Sequence, residues 1–254
     1  MTLVLNYGGG RQTVAICVLI ERGVLPLPDL FLMADTGREN PSTWMYLATY
    51  VQPMLAALGR SVTVIPREAP PAVTYGADDK PLIPAFTIDG KFSPFCSGTW
   101  KRDRMTKWLT ENQYPKGERW IGFSHNEQTR IKRFLKDGED RGGWTIRMPL
   151  NELMIETEHC LAIVRRRGWP EPPISSCWMC PHKKNAEWLT VKLEWPDLWE
   201  QACQMDEEMR EQDLFRGGQG VWLHHSREPL READLTIEES ASVVRQCSLG
   251  MCFI

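Results

Sequence analysis

The chain has 254 residues, of which 42% are hydrophobic and 25% charged. This ordinary balance excludes a fibrous or wholly disordered chain. The formal net charge of −3 excludes a nucleic-acid binder that relies on bulk positive charge, but it leaves room for a local basic patch. No apolar run approaches the roughly 18 residues of a membrane span. Because the N-terminal segment also lacks the basic start and long apolar stretch of a signal peptide, we expect a cytoplasmic protein with no membrane partner.

Strands and helices alternate in the first 65 residues. Short apolar runs bounded by turn residues predict strands, and longer apolar runs with helical spacing predict helices. The predicted strands are 2–7, 30–35 and 61–66, and the predicted helices are Thr13–Gly23 and Ser42–Leu58. This order is typical of a parallel sheet whose crossovers are helices.

The alternation resumes after a proline-rich segment and continues to about residue 150. Residues 67–95 lack periodicity and predict a long loop. A basic helix (99–112), a strand (119–123), a helix (125–135) and a last strand (144–149) follow. We therefore predict an α/β fold with a doubly wound, mainly parallel sheet.

The pattern is helical from Asn151 onward. The predicted helices are 151–167, 181–193, 196–212 and 236–246. We place a boundary near residue 150, which separates an α/β core of the nucleotide-binding type (1–150) from a helical, cysteine-bearing C-terminal region (151–254).

A glycine-rich loop joins the first predicted strand to the first predicted helix. It reads Gly8-Gly9-Gly10-Arg11-Gln12-Thr13. Glycines let backbone N–H groups approach a phosphate, the helix adds its positive N-terminal end, and Thr13 adds a hydroxyl. The loop matches neither GxxxxGK(S/T) nor GxGxxG. The alternative interpretation is a tight strand–helix turn without a ligand.

The eight cysteines favour metal binding or redox chemistry, because disulfides rarely persist in the cytoplasm. Cys177 and Cys180 form a CxxC pair, Cys247 and Cys252 form a second pair, and Cys96 opens the basic helix. The CxxC spacing lets two thiolates bind one metal or cluster. The other three cysteines lie within apolar or helical patterns and are predicted to be ordinary buried residues: Cys17, Cys160 and Cys203.

A [4Fe–4S] cluster needs four thiolates. The best set is Cys96, Cys177, Cys180 and one tail cysteine. We favour Cys252 over Cys247 because a terminal tail can fold back over a cluster. A zinc site, with four cysteines or with His182 included, is the main alternative, and a redox dithiol is the next.

Four motifs resemble those of the phosphoadenosine phosphosulfate (PAPS) reductase-like family, within the PP-loop superfamily of adenine nucleotide α-hydrolases. The glycine loop is similar to the PP-loop S-G-G-x-D-S. The other matching segments are Ala34–Pro41 (ADTG-x-E-x-P), Cys96–Arg102 (a cysteine before a basic helix), and Ile121-Gly122-Phe123 with Glu127 and Arg130 (IG-x-x-x-x-E-x-x-R). They occur in the family's order and cover about residues 2–135.

The resemblance implies the adenine nucleotide α-hydrolase-like fold and a site for ATP, usually with Mg²⁺. Gly8 to Thr13 would hold the phosphates, and Asp35, Thr36 and Gly37 would help to hold the adenosine. Lys101, Glu127 and Arg130 are the implied catalytic residues. The resemblance also implies a cluster beside the nucleotide, as in the ATP pyrophosphatase of DNA phosphorothioation systems.

Other basic residues are further candidates for binding an anion. Arg102 and Arg104 follow Lys101 and could neutralise phosphate or sulfate, and Arg133 could clamp an anion together with Arg130. The alternative for each set is a solvated helix face. His224 and His225 are expected at a partly exposed loop or strand end, with a substrate pocket as the alternative.

The implied function is an iron–sulfur ATP pyrophosphatase that activates an acceptor as an adenylate for sulfur transfer. The sulfur donor would be a partner such as a cysteine desulfurase, and the acceptor DNA or tRNA presented by a partner. A sulfonucleotide reductase is a second hypothesis, although the tail lacks that enzyme's E-C-G-L/I-H motif. A non-catalytic, nucleotide-binding iron–sulfur or zinc protein with a sensor or structural role is a third, because Gln12 occupies the usual position of the loop aspartate and Gly8 that of the first serine.

Overall fold

The computed structural model describes residues 1–67, 83–92, 96–137, 140–211 and 220–236. The strands within this part are β1 (Leu3–Asn6), β2 (Leu30–Ala34), β3 (Val62–Ile65), β4 (Phe86–Thr87), β5 (Gly90–Lys91), β6 (Glu118–Trp120), β7 (Asp140–Arg141), β8 (Trp144–Arg147) and β9 (Val221–Trp222). The α-helices are α1 (Arg11–Glu21), α2 (Pro41–Tyr46), α3 (Gln52–Ala57), α4 (Arg104–Glu111), α5 (Gln128–Phe134), α6 (Pro149–Glu152), α7 (Thr157–Arg166), α8 (Asn185–Glu194) and α9 (Pro196–Glu211).

Shorter helical segments adjoin four of these helices. A π-helix (Leu47–Val51) joins α2 to α3, and a second π-helix (Ser97–Asp103) precedes α4. 3₁₀ turns flank α5 at His125–Glu127 and Leu135–Asp137.

A six-stranded sheet has the order β3-β2-β1-β6-β8-β7. The first five strands are parallel, and β7 is antiparallel to β8 at the edge. The neighbouring strands β1 and β2 are almost wholly apolar and mostly buried, as expected for parallel strands that are covered on both faces. The predicted α/β fold with a mainly parallel sheet is confirmed.

Helices cover both faces of this sheet. On one face, Leu5 and Phe31 pack with the apolar side of α1 and with Cys160 and Val164 of α7. On the other face, Val4, Leu32 and Ile65 pack with residues of α4 and α5, which include Met105, Leu109 and Ile131. Successive residues of β1 therefore pack into the hydrophobic cores on opposite faces of the sheet, because side chains alternate between the two faces along a strand. The sheet is doubly wound.

The packing divides the chain into two compact units. The described residues of the first unit are 1–67 and 97–176, apart from 138–139, and they include the six-stranded sheet. Those of the second are 83–92, 96, 177–211 and 220–236. The predicted boundary near residue 150 is not one of these division points, because α7 packs against α1 within the first unit.

The second unit contains a three-stranded antiparallel sheet of order β5-β4-β9. Helices α8 and α9 pack together, and Trp188 meets Trp199 edge to face at 6.2 Å. The β4–β5 hairpin lies in the segment that was predicted to be only loop, so the prediction is wrong at that point. Two-residue strands carry too little periodicity for a pattern to reveal them.

Two further helix predictions need correction. The predicted helix 151–167 is two helices, α6 and α7, because Met154 adopts a left-handed φ of 55° that ends the first. Turns occupy the start of the predicted helix 181–193, which begins only at Asn185. The predicted helix 236–246 lies outside the described residues from 237 onward. Within the described part, no helix is long and apolar enough to cross a membrane.

Candidate functional site

A cleft opens at the carboxyl ends of the two central strands, β1 and β6. The chain runs from β1 outward to β2 and β3 on one side, whereas β6 lies on the other side. Such a switch in strand order leaves a crevice in which open α/β sheets bind ligands. The cleft encloses about 390 Å³ with its open mouth included, and it is lined by Asn6, Gly8, Gly10, Gln12, Thr13, Ile121, Gly122 and Arg130. The predicted loop and the predicted Arg130 therefore meet in one place.

The glycine loop takes a shape that glycine alone allows. Gly9 has a φ of +73°, and a Cβ there would overlap the Cγ2 methyl of Thr43. Gly10 precedes α1, and its carbonyl accepts hydrogen bonds from Val14 N at 3.0 Å and Thr13 Oγ1 at 3.1 Å. Among the described residues, no side chain caps the N-terminus of α1. The loop thus presents backbone N–H groups at the cleft, which is the arrangement that binds anions.

Gly122 brings the opposite wall of the cleft against the start of α1. It follows β6, and a Cβ at this position would lie 2.8 Å from Thr13 Cγ2. Any larger residue would force the Thr13 side chain to shift, so Gly122 allows β6 and the start of α1 to approach closely beside the cleft.

Glu127 is the acceptor that organises one side of the cleft. Its Oε2 accepts hydrogen bonds from Ser124 N at 2.9 Å and Ser124 Oγ at 2.8 Å, and Gln12 Nε2 lies at 3.5 Å. Its Oε1 accepts from Nη1 of Arg130, whose guanidinium lies 4.5 Å from the ring centroid of Phe123. Because both carboxylate oxygens accept hydrogen bonds from neighbouring groups, Glu127 is suited to orienting Gln12 and Arg130. Arg130 lines the cleft and Arg133, exposed on the same helix, does not.

Hydrogen bonds from the backbone to two side chains shape the turn after β2. Asp35 Oδ1 accepts from Gly37 N at 2.6 Å, and Thr36 Oγ1 accepts from Arg38 N at 3.2 Å. Gly37 has a φ of +66°, and the Arg67 side chain occupies the space that a Cβ would need. Asp35, Thr36 and Gly37 are not among the residues that line the cleft, so their role in holding adenosine stays a prediction.

Glu39, to which the sequence motifs gave no role, pairs with the predicted catalytic residue Lys101. The Glu39 carboxylate is fully buried and accepts a hydrogen bond from Lys101 Nζ. Ser175 Oγ lies 3.5 Å from the other carboxylate oxygen. The sequence shows only that Glu39 belongs to the ADTG-x-E-x-P stretch and that Lys101 belongs to the predicted basic helix. Their pairing across 62 positions is visible only in the fold.

The two arginines that follow Lys101 have other contacts. Arg102 forms an ion pair with its neighbour Asp103 at 2.8 Å, and Arg104 donates to the carbonyl of Pro66 from Nε at 3.3 Å and Nη2 at 3.2 Å. Neither lines the cleft. Their proposed neutralisation of an anion stays a prediction.

The CxxC pair of the second unit forms a turn. Cys180 N donates to Cys177 O at 3.1 Å, and Lys183 N donates to Cys180 O at 3.1 Å. Lys91 Nζ lies 2.6 Å from His182 Nδ1. Burial raises the pKa of the Cys180 thiol, and the nearby positive charges of Lys183 and Lys91 oppose that rise. Burial, followed by the charge of Lys91, lowers the pKa of His182 to about 4, so this imidazole is neutral at physiological pH.

The described residues alone do not complete a metal site. Within them, no three His, Cys, Asp or Glu side chains are grouped to hold an ion. Cys96 is partly buried and is not brought into such a group with Cys177 and Cys180. Cys247 and Cys252 lie outside the described residues, so the cluster assignment stays a prediction. Cys17, Cys160 and Cys203 are buried in their helices.

The adjacent histidines of the second unit differ in their environments. His224 is buried, with Nε2 at 3.1 Å from Asn185 Oδ1 and Nδ1 at 2.7 Å from Ser226 Oγ. His225 is exposed. The expectation of a partly exposed position is confirmed for His225 and wrong for His224. The buried His224 contacts Asn185, the first residue of α8, and so connects this helix to the segment that follows β9.

No protein-family model matches the sequence, and none of the curated proteins matches it. Among solved structures, the chain is similar to the U34-tRNA thiolase NcsA from Methanococcus maripaludis with its [4Fe-4S] cluster, at 11% sequence identity and a TM-score of 0.44. The similarity covers 98% of this chain and 79% of the thiolase chain.

Proposed function

We propose that this chain is an ATP pyrophosphatase of the PP-loop type that activates an acceptor as an adenylate for sulfur transfer. The observation that carries the proposal is the uncapped N-terminus of α1 behind a glycine loop, at the switch point of the sheet and with Arg130 in the same cleft. Backbone donors and one guanidinium suit a polyphosphate, because they supply positive potential without a bulky side chain in the loop.

In the proposed reaction, an oxygen of the acceptor attacks the α-phosphorus of ATP and pyrophosphate leaves. A sulfur nucleophile then displaces AMP from the adenylated position. The loop N–H groups would hold the phosphate chain, and Arg130 would stabilise the negative charge that develops on the departing pyrophosphate. Glu127 would keep Arg130 in place through the ion pair described above. Lys101, held by Glu39, stays a proposed contact with the nucleotide.

The sulfur part of the proposal is supported by the CxxC turn and by the resemblance of the four sequence motifs to the PAPS reductase-like family. Thiolates at Cys177 and Cys180 would be two ligands of a [4Fe–4S] cluster, with Cys96 and Cys252 or Cys247 as the others, or two ligands of a zinc ion. The full ligand set of the cluster is not grouped in the described part of the chain. A sulfur donor and a nucleic-acid acceptor, presented by partners, complete the proposal.

One observation favours a second function, a nucleotide-binding sensor without turnover. Gln12 takes the usual position of the loop aspartate, and its amide is directed to Glu127 Oε2 at 3.5 Å. Both oxygens of that carboxylate are engaged with protein groups, so the described side chains at the loop offer Mg²⁺ no uncommitted carboxylate. ATP would then bind and remain intact.

The test uses the anaerobically purified 254-residue chain with ATP, Mg²⁺ and inorganic sulfide as the sulfur nucleophile, in the presence of mixed tRNA or double-stranded DNA. Formation of AMP and pyrophosphate supports the enzyme, and tight ATP binding without products supports the sensor. Absence of ATP binding in calorimetry contradicts both.

The same preparations are assayed for iron, zinc and acid-labile sulfide. About four irons and four sulfides per chain support the cluster, and one zinc without sulfide supports the alternative. Cys177→Ala and Cys180→Ala should lose the metal, whereas the buried Cys203→Ala, the matched control, should retain it. Full iron in the first two variants would refute the ligand assignment.

A further inference from the structure

A buried arginine lies beneath the cleft. Arg119 is on β6, only 4% exposed, and donates to Thr106 Oγ1 at 2.9 Å and to Asn6 Oδ1 at 3.4 Å. In the described part of the chain, no carboxylate pairs with this guanidinium. Burial, followed by the like charge of Arg102, lowers the pKa of Arg119 to about 10, so the side chain still carries its charge at neutral pH. The fold therefore retains a buried cation whose counter-charge is not among the described residues.

Asn6 connects this cation to the cleft. It is the last residue of β1, 5% exposed, and it lines the cleft two residues before the glycine loop. Because a guanidinium has only donors, Arg119 fixes the carbonyl oxygen of Asn6 on its own side. The amide nitrogen Nδ2 is the other half of the same group, and it is buried without a hydrogen-bond partner in the described structure. An unsatisfied buried donor is costly unless a ligand satisfies it.

We propose that Asn6 Nδ2 donates a hydrogen bond to a phosphate oxygen of the bound nucleotide and that Arg119 is the positioning residue that orients this amide. The proposal deepens the proposed function and rests on it. Phosphate is the part of the nucleotide that fits, since Asn6 adjoins the loop of N–H donors. The buried charge of Arg119 and the guanidinium of Arg130 also favour an anion over a neutral base.

The decisive variant is Asn6→Asp, which keeps the size of the side chain. Its carboxylate would pair with Arg119, so we expect the free energy of unfolding to be unchanged or higher. In the cleft, however, an acceptor would replace the donor and repel the phosphates. We expect the affinity for ATP and for inorganic tripolyphosphate to fall roughly tenfold or more, with little change for adenosine. Asn112→Asp makes the same chemical change at an exposed position of the first unit and should leave all three affinities unaltered.

Isothermal titration calorimetry with these three probes, together with urea unfolding of each variant, separates the outcomes. Wild-type affinity for ATP in a folded Asn6→Asp protein would overturn the inference and leave the proposed function standing. An equal loss for adenosine would overturn the phosphate contact. A wild-type chain that binds neither ATP nor tripolyphosphate would overturn both the inference and the proposed function. If Asn6→Asp does not fold, the test is repeated with Arg119→Met. Loss of the orienting cation should weaken the binding of tripolyphosphate and of ATP but not that of adenosine. Wild-type affinities for tripolyphosphate and ATP in Arg119→Met would refute the inference.

Discussion

Lys101 donates to the buried carboxylate of Glu39, and the two side chains are 14% and 0% exposed. Glu39 follows the turn after β2, and Lys101 lies on the π-helix that precedes α4. π-helical segments are rare and frequently occur at functional sites. This pair therefore fixes the only predicted catalytic lysine at a defined place in the first unit.

Replacing Glu39 with Gln should destabilise the first unit by about 3 kcal/mol, because it removes a buried carboxylate that a lysine faces. Urea unfolding followed by tryptophan fluorescence measures the effect. The matched control is Glu111→Gln, since Lys107 and Glu111 form an exposed pair at 3.8 Å, and its loss should cost less than about 1 kcal/mol. Equal small effects in both variants would show that the buried pair does not stabilise the fold.

Gly9 and Gly8 should differ sharply in their tolerance of alanine. Gly9→Ala places a side chain at a φ of +73° and against the Thr43 methyl, so it should cost about 2–3 kcal/mol. Gly8 has no atom within 4 Å of an added Cβ, and Gly8→Ala should change the free energy of unfolding by less than about 0.5 kcal/mol.

Gly8 lines the cleft, so the same Gly8→Ala variant should weaken ATP binding while remaining stable. The double variant Gly9→Ala/Thr43→Ser should recover part of the lost stability, because it removes the overlapping methyl. Equal stability losses at positions 8 and 9 would contradict the conformation of the loop.

The order of the parallel strands and of the helices between them could be predicted from the sequence because apolar runs of the right length lie between turn residues. The strand at 30–35 and the helix that starts near Thr13 are examples. The glycine loop was equally visible, because three successive glycines stand between a predicted strand and a predicted helix. These features are local, so a local sequence pattern is sufficient to predict them.

Long-range pairings account for what could not be predicted. Trp222 of β9 pairs with Phe86 of β4, and Arg119 reaches Asn6 from a neighbouring strand. Arg119 sits in a segment that predicts only a strand, and its charge gives no hint that it is buried. Such contacts depend on which strands become neighbours, and that information is not contained in any local pattern.

Alkaline pH should destabilise the first unit through Cys160. Burial, and next the negative charge of Glu127, raise the pKa of this thiol to about 12 from its ordinary value of 9.0. Above pH 9 the unfolded chain releases the proton while the folded chain keeps it, so the unfolded state is favoured as pH rises. The contribution of the protonated Cys160 thiol to the free energy of unfolding is complete below pH 9. It is lost between pH 9 and about 12, at up to about 1.4 kcal/mol per pH unit.

Urea unfolding from pH 7 to 10.5 measures this effect. The free energy of unfolding should decline above pH 9 in both proteins, and the decline should be smaller in Cys160→Ala than in the wild-type chain, by about 2 kcal/mol at pH 10.5. Below pH 8 the two profiles should run parallel, displaced by the cost of the smaller side chain, and this region is the internal control. Other buried acids such as Cys17 and Tyr46, whose pKa values burial also raises, are present in both proteins and cancel in the difference. Parallel profiles above pH 9 would mean that the Cys160 thiol ionises as easily in the folded chain as in the unfolded one.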